Sequence, residues 1–188
     1  MTPPKTTVKI PQAPYANPEQ GSFEIIFSEY WTSIYRHLFR LVGDPAEAED
    51  LALEAFFRLS QRHTSPNKEF NIGGWLYRVA VNLGLQSIRS FKRREHYELS
   101  AGKDALESAP ENQPAELQAD EEERQLARAV LASMNPRHSQ LLILRHSGLS
   151  YAEIAGALDL SPTSIGPLLL RAEREFEKRY RALNQEEQ

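Results

Sequence analysis

Residues 98–120, ELSAGKDALESAPENQPAELQAD, constrain the chain more than any other stretch. They hold Pro110, Pro114 and six carboxylates against the single cation Lys103, with few large apolar side chains. A segment this poor in apolar groups buries too little surface to offset the entropy lost on ordering. It reads as a flexible acidic linker, so the sequence on each side must build a core of its own.

Both sides carry helical periodicity, and neither shows the alternation of a half-buried strand. In the first block, Phe23, Ile26, Ile34, Leu38 and Leu41 recur at three- and four-residue steps up to the turn Gly43–Asp44–Pro45. Asp44 then caps a new helix, with Pro45 at its first position and Glu47 three residues after the cap. A break at 63–71 (HTSPNKEFN) precedes a third amphipathic segment from Ile72 into the basic cluster SFKRRE. In the second block Ser150 and Glu153 form a capping box, and Ile154, Ala155 and Leu158 make the buried face of a short helix. A turn at 159–161 leads to a helix begun by Ser161 and Pro162, striped by Ile165, Leu169, Ala172, Phe176 and Tyr180. This is helix–turn–helix grammar, although an ordinary helical hairpin has the same pattern. The fold class is therefore all-α: two helical domains joined by a flexible acidic linker, the C-terminal one a helix–turn–helix. The boundaries are a proline-rich, disordered tail at 1–21, a domain at 22–97, the linker at 98–120 and a second domain at 121–188.

The charge layout says more than the net charge of −4. Residues 68–95 hold six basic and two acidic residues, 98–124 two and nine, and 137–181 seven and five. Two mildly basic blocks thus flank an acidic one, an arrangement compatible with nucleic acid despite the acidic total. The chain has no cysteine, which excludes disulfides, thiolate metal sites and a cysteine nucleophile. No apolar run reaches the roughly 18 residues of a membrane span. The first twenty residues lack the apolar core of a signal peptide, so a cytoplasmic location is expected. His37, His63, His96, His138 and His146 are scattered without metal-ligand spacing and read as surface or capping residues. No nucleophile–base set or paired carboxylates stand out, so no enzymatic activity, cofactor or metal is expected.

Three constellations carry chemistry. In DPAEAEDLALEAFFRL, Glu47, Asp50, Glu54 and Phe57 share a face opposite the apolar one. Carboxylates around one aromatic suit docking to a basic partner, and they equally suit a solvated helix face. Farther on, Trp75, Tyr77, Arg78, Asn82, Arg89, Lys92 and Arg93 interleave rings with cations. Rings stack on unpaired bases for about 1–3 kcal/mol each while cations follow phosphates, so the segment suits single-stranded DNA. At least one of Trp75 and Tyr77 is expected in the core instead. The preceding loop adds Asn67, Lys68, Phe70 and Asn71, able to hold a splayed base. Third, the second helix of the helix–turn–helix offers Ser161, Thr163, Ser164, Pro167, Leu170, Arg171 and Arg174 to a DNA groove.

Taken in order, YRHLFRLVGDPAEAEDLALEAFFRL, GWLYRVAVNLGLQSIRSFKRR and LSYAEIAGALDLSPTSI resemble the extracytoplasmic-function sigma factors, the minimal two-domain group of bacterial sigma factors. The resemblance covers roughly 22–97 and 121–182. It implies that the first domain docks its acidic helix on the β′ clamp coiled coil of core RNA polymerase. It also implies that residues 63–95 open and hold the −10 promoter element, with Asn82 near the melted strand. The second domain would sit on the β flap and read the −35 element. The partners implied are core polymerase, promoter DNA and an anti-sigma factor, with no membrane. Two other readings fit parts of the chain: a one-component helix–turn–helix regulator and a sigma-like decoy that titrates an anti-sigma factor. Family members usually carry basic residues where this chain has Gly166 and Leu168. Pro167 removes the backbone bond to the Thr163 carbonyl, so the helix is expected to start near Pro162 and to loosen around Thr163–Pro167.

Overall fold

The turn at 43–45 follows from its residue types. In the computed structural model, Gly43 adopts φ +86° and its N–H donates to the Phe39 carbonyl at 2.9 Å, ending α1 (Gln20–Val42). Asp44 then accepts from the Glu47 N–H at 2.7 Å and starts α2 (Pro45–Ser60) with proline at the first turn. The structure describes residues 20–62, 71–100 and 115–186. Among these there are seven helices and no strand, as the periodicity demanded. The tail at 1–19 and the middle of the linker, 101–114, lie outside the described residues.

α1 and α2 pack with α3 (Ile72–Ser100) around Ile34, Leu38, Phe56, Leu76 and Val81. Gly84 makes the α1–α3 contact close, because a Cβ there would fall 2.4 Å from Leu41 Cδ2. A second set follows: α4 (Ala115–Ser133), α5 (Pro136–His146), α6 (Tyr151–Leu158) and α7 (Pro162–Glu186). Its core joins Val130, Leu141, Leu144, Leu149, Ile154, Ile165 and Leu169. The Ser150–Glu153 capping box starts α6, and Asp159, left-handed at φ 60°, ends it. Asn135 caps α5 ahead of Pro136. Glu175 of α7 ties that end down, accepting from the Asn135 N–H (3.1 Å) and Arg179 (3.1 Å) and pairing with His138 (2.5 Å). The His138 contact, followed by the other donors, holds the Glu175 carboxyl below its ordinary range despite partial desolvation.

Three features differ from the sequence reading. The helices reach into the linker, since α3 runs to Ser100 and α4 starts directly after Pro114. Glu, Gln, Leu and Ala, which make up residues 115–119, are good helix formers. The helix α7 runs without interruption through Pro167 rather than loosening there. The missing proline N–H removes a single bond close to the helix start, and the Ser161 carbonyl is served by the Ser164 N–H (3.0 Å) and hydroxyl (2.7 Å). Finally, the two helical sets do not stand apart. α3 lies against α4, α5 and α6, and one buried apolar cluster spans both sets.

Candidate nucleic-acid and polymerase interfaces

On α2 the exposed face carries Asp50 and Phe57, the latter 58% exposed. Glu54 pairs with Arg58 at 2.7 Å on the same face. Leu53, also exposed, stands one turn before Phe57, so the face centres on an apolar pair ringed by carboxylates. The sequence reading missed Leu53, although its i,i+4 relation to Phe57 was there to be read. Glu47 differs from the other three. Its carboxylate accepts from the Ser87 hydroxyl of α3, tying α2 to α3.

The face of α3 expected to hold single-stranded DNA is built but engaged. Tyr77 is core: it is 3% exposed, hydrogen-bonded to Ser33, and its phenol is pushed up by burial. Trp75 is half-buried, with the Arg62 guanidinium 5.4 Å from its ring centre. Asn71 caps α3, accepting from the Gly74 N–H at 2.8 Å through its side chain and from the Trp75 N–H at 2.9 Å through its carbonyl. Asn82 accepts from the Gln140 amide of α5 at 2.5 Å. Arg89 donates to the carbonyls of Ala132 (3.0 Å) and Met134 (3.4 Å) at the end of α4. Arg78 is half-buried, whereas Lys92 and Arg93 are exposed. These last two line a cleft of about 650 Å³ between α3 and the α4–α5 turn, together with Gln86, Tyr97 and Ser133. Asn67, Lys68 and Phe70 lie outside the described residues.

The same boundary contains two groups that sequence reasoning did not single out. His37, taken for a surface or capping residue, is buried at 3% exposure beneath the edge of the Tyr77 ring. The Ser147 hydroxyl donates to the Ile143 carbonyl at 2.7 Å, which leaves its oxygen to accept from His37 Nδ1–H at 2.5 Å. His37 Nε2 is buried without a partner among the described residues, so a proton placed there would have no acceptor. Burial, reinforced by Arg40, lowers the His37 pKa to about 4. Arg128 of α4 lies over Gly43, where a Cβ would come within 2.5 Å of its guanidinium. Among the described residues no three acidic, histidine or cysteine side chains stand together to hold a metal.

The start of α7 is arranged differently. Thr163, Pro167, Leu170, Arg171 and Arg174 are exposed, and Arg171 and Arg174 make no ion pair among the described residues. The Ser161 and Thr163 hydroxyls bond each other at 2.7 Å, and Ser164 turns back onto its own helix. Of the three leucines at 168–170, only Leu170 faces outward. Tyr151, at the first turn of α6, stands beside Gly166, its ring 3.6 Å from where a Cβ would be. Arg145 stacks 5.4 Å from the centre of that ring. A Cβ at position 166 would thus make an ordinary contact with the Tyr151 ring.

Two family models match, in the order of the two helical sets: Sigma-70 region 2 over residues 26–95 and Sigma-70, region 4 over residues 124–176. The ECF RNA polymerase sigma factor BldN of Streptomyces coelicolor is 30% identical over 166 residues, covering 83% of this chain and 59% of that protein. The RNA polymerase sigma factor YlaC of Bacillus subtilis is 27% identical over 169 residues, covering 89% of this chain and 97% of the relative. In fold, the chain is similar to the structure of CnrH in complex with the cytosolic domain of CnrY, with a TM-score of 0.51 at 14% identity over 87% of this chain and 90% of that one. A region 2 match over α1–α3 and a region 4 match over α4–α7, with relatives of this group aligned across both, make this chain a member of the extracytoplasmic-function sigma factors.

Proposed function

We propose that this chain directs core RNA polymerase to specific promoters and opens their −10 element, in initiation that responds to a stress or signal. The observation that carries this is the pairing of a region 2 match on α1–α3 with a region 4 match on α4–α7 in one chain. The face of α2 with Asp50, Leu53, Glu54 and Phe57 docks on the β′ clamp coiled coil, the apolar pair anchoring and the carboxylates meeting basic groups. The cations and amides of α3 (Arg78, Asn82, Arg89, Lys92, Arg93), with Asn71, Trp75 and the loop residues Asn67, Lys68 and Phe70, take the unpaired strand. α4–α7 sits on the β flap. The start of α7 enters the −35 major groove, with Pro167 and Leu170 against thymine methyls and Arg171 and Arg174 on phosphates. The chain catalyses nothing itself and works in the cytoplasm, under control of an anti-sigma factor. No helix of the described residues is long and apolar enough to cross a membrane.

Transcription reconstituted from core polymerase, this chain and a genomic promoter library tests the proposal. Discrete transcripts that depend on the chain are expected, and Phe57→Ala should weaken core binding at least tenfold. A library that yields no chain-dependent start sites would overturn it.

A further inference from the structure

One face of α1 is used by neither the polymerase nor the DNA assignments. Phe23, Phe27, Trp31, Tyr35 and Phe39 recur at every fourth position, so their rings climb the helix as a continuous stack. Ring centres are 6.3, 4.9, 6.3 and 6.2 Å apart along the series. The last three steps are close to parallel, with interplanar angles of 20°, 19° and 7°. Phe56 of α2 backs the first three rings. Each four-residue step advances about 40° around a helix, so the stack turns away from the core as it climbs. None of the five rings is fully buried, and Phe39 at the far end is exposed. The result is a strip of aromatic surface along α1. Glu49 and Asp50 are exposed on α2, Glu49 two turns from Phe56 on the same side of that helix.

The chain itself holds a segment suited to this strip. Residues 1–19, outside the described residues, join α1 at Gln20, one turn before Phe23. They carry Pro3, Pro4, Pro11, Pro14 and Pro18, and Pro11–Gln12–Ala13–Pro14 has the PxxP spacing that docks on aromatic-lined grooves. Proline is apolar and already stiff, so laying it on ring faces costs little conformational entropy. A polyproline strand rises about 3.1 Å per residue and a helix about 1.5 Å. A strand folded back from Gln20 along α1 therefore brings Pro18, Pro14 and Pro11 about 6, 19 and 28 Å up the helix, the levels of Phe23, Trp31 and Phe39. Up to Pro18 the segment has Lys5 and Lys9 and no carboxylate, opposite in sign to Glu49 and Asp50.

We propose that residues 3–18 dock in cis along the aromatic strip of α1 as a polyproline strand, with Pro18, Pro14 and Pro11 over Phe23, Trp31 and Phe39. The strip is then a binding site for the chain's own proline-rich segment, and this assignment does not depend on the promoter-directing reading.

Trp31 reports on the strip, because Trp75 is the sole other tryptophan. In the full-length chain carrying Trp75→Phe, acrylamide quenching of Trp31 is measured with residues 1–18 present, deleted, and resupplied as a synthetic peptide of residues 1–19. Deletion should raise the quenching constant at least twofold and shift the emission to the red, and saturating peptide should reverse both. Pro11→Ala, Pro14→Ala and Pro18→Ala together should reproduce the deletion in the intact chain, whereas Pro3→Ala with Pro4→Ala should keep Trp31 shielded. Unchanged circular dichroism across the set separates uncovering of the strip from unfolding. Equal quenching with and without residues 1–18 would overturn the proposal. Shielding that grows with protein concentration would assign the strip to a second copy of the chain, and shielding that needs added core polymerase would assign it to the polymerase. Either result overturns docking in cis.

Discussion

The two surfaces assigned to DNA stand in opposite conditions. On α3, Asn82 and Arg89 are bonded to α5 and to the end of α4, and Tyr77 is sealed into the core. On α7, Leu170, Arg171 and Arg174 point into solvent, and neither arginine is ion-paired among the described residues. The α3 surface bears amides and a cation able to bond backbone carbonyls, so a neighbouring helix end can satisfy it. The α7 surface offers proline, leucine and unpaired arginines, which give a protein partner few directional contacts. The start of α7 is thus open in this structure, whereas Asn82 and Arg89 of α3 are taken up by the protein's own groups.

Breaking the boundary should perturb the first surface and leave the second alone. The largest effect is expected at Gly43. Its φ of +86° is a left-handed conformation, and a Cβ would meet Arg128 at 2.5 Å. Gly43→Ala should therefore cost about 2 kcal/mol in urea unfolding, from the left-handed backbone together with the displaced guanidinium. An intact stability would show that the α4 contact yields easily.

Next is the pH response of His37. Its pKa is about 4 when buried and 6.5 when free, so the folded, closed chain disfavours the proton. Its stabilisation is present above pH 6.5 and drains away as pH falls toward 4. Between pH 7.5 and 5 the loss from this one group is about 2 kcal/mol. Thermal melts across that range should show it, and His37→Leu should flatten the dependence. An equally steep profile in the variant would place the response elsewhere.

The smallest stability effects belong to α7. Arg171→Ala and Arg174→Ala should each change unfolding free energy by less than about 0.5 kcal/mol. Each should still weaken promoter binding by the polymerase complex and reduce the slope of log affinity against log salt by about one. Salt titrations that leave the slope untouched would remove these arginines from the phosphate-contacting set.

Much of this was open to a reader of the chain alone. Asp44–Pro45, Ser150 with Glu153, and Ser161–Pro162 start helices where they should, because a cap works within one turn and needs no distant partner. The stripe Ile165–Leu169–Ala172 is buried, and Phe57 is exposed, because helical spacing alone sorts one face from the other. Helix type, helix starts and the split into two sets are consequences of such short-range rules.

Whether an outward face stays outward is decided over longer distances. Asn82 meets Gln140 58 residues on, and His37 meets Ser147 110 residues on. An exposed amide, a histidine on an apolar stripe and an arginine near a helix end carry no local mark of such partners. Tyr77 and Trp75 have similar ring chemistry and sit two residues apart, yet one is sealed and the other half open. Their helical positions differ by about 200°, and only the packing of α6 and α1 against α3 determines which side is covered. Residue types and spacing along this chain single out groups whose chemistry suits DNA. Packing between its halves establishes which of them are free to do so, because covering a helix face requires surfaces that no short stretch of sequence contains.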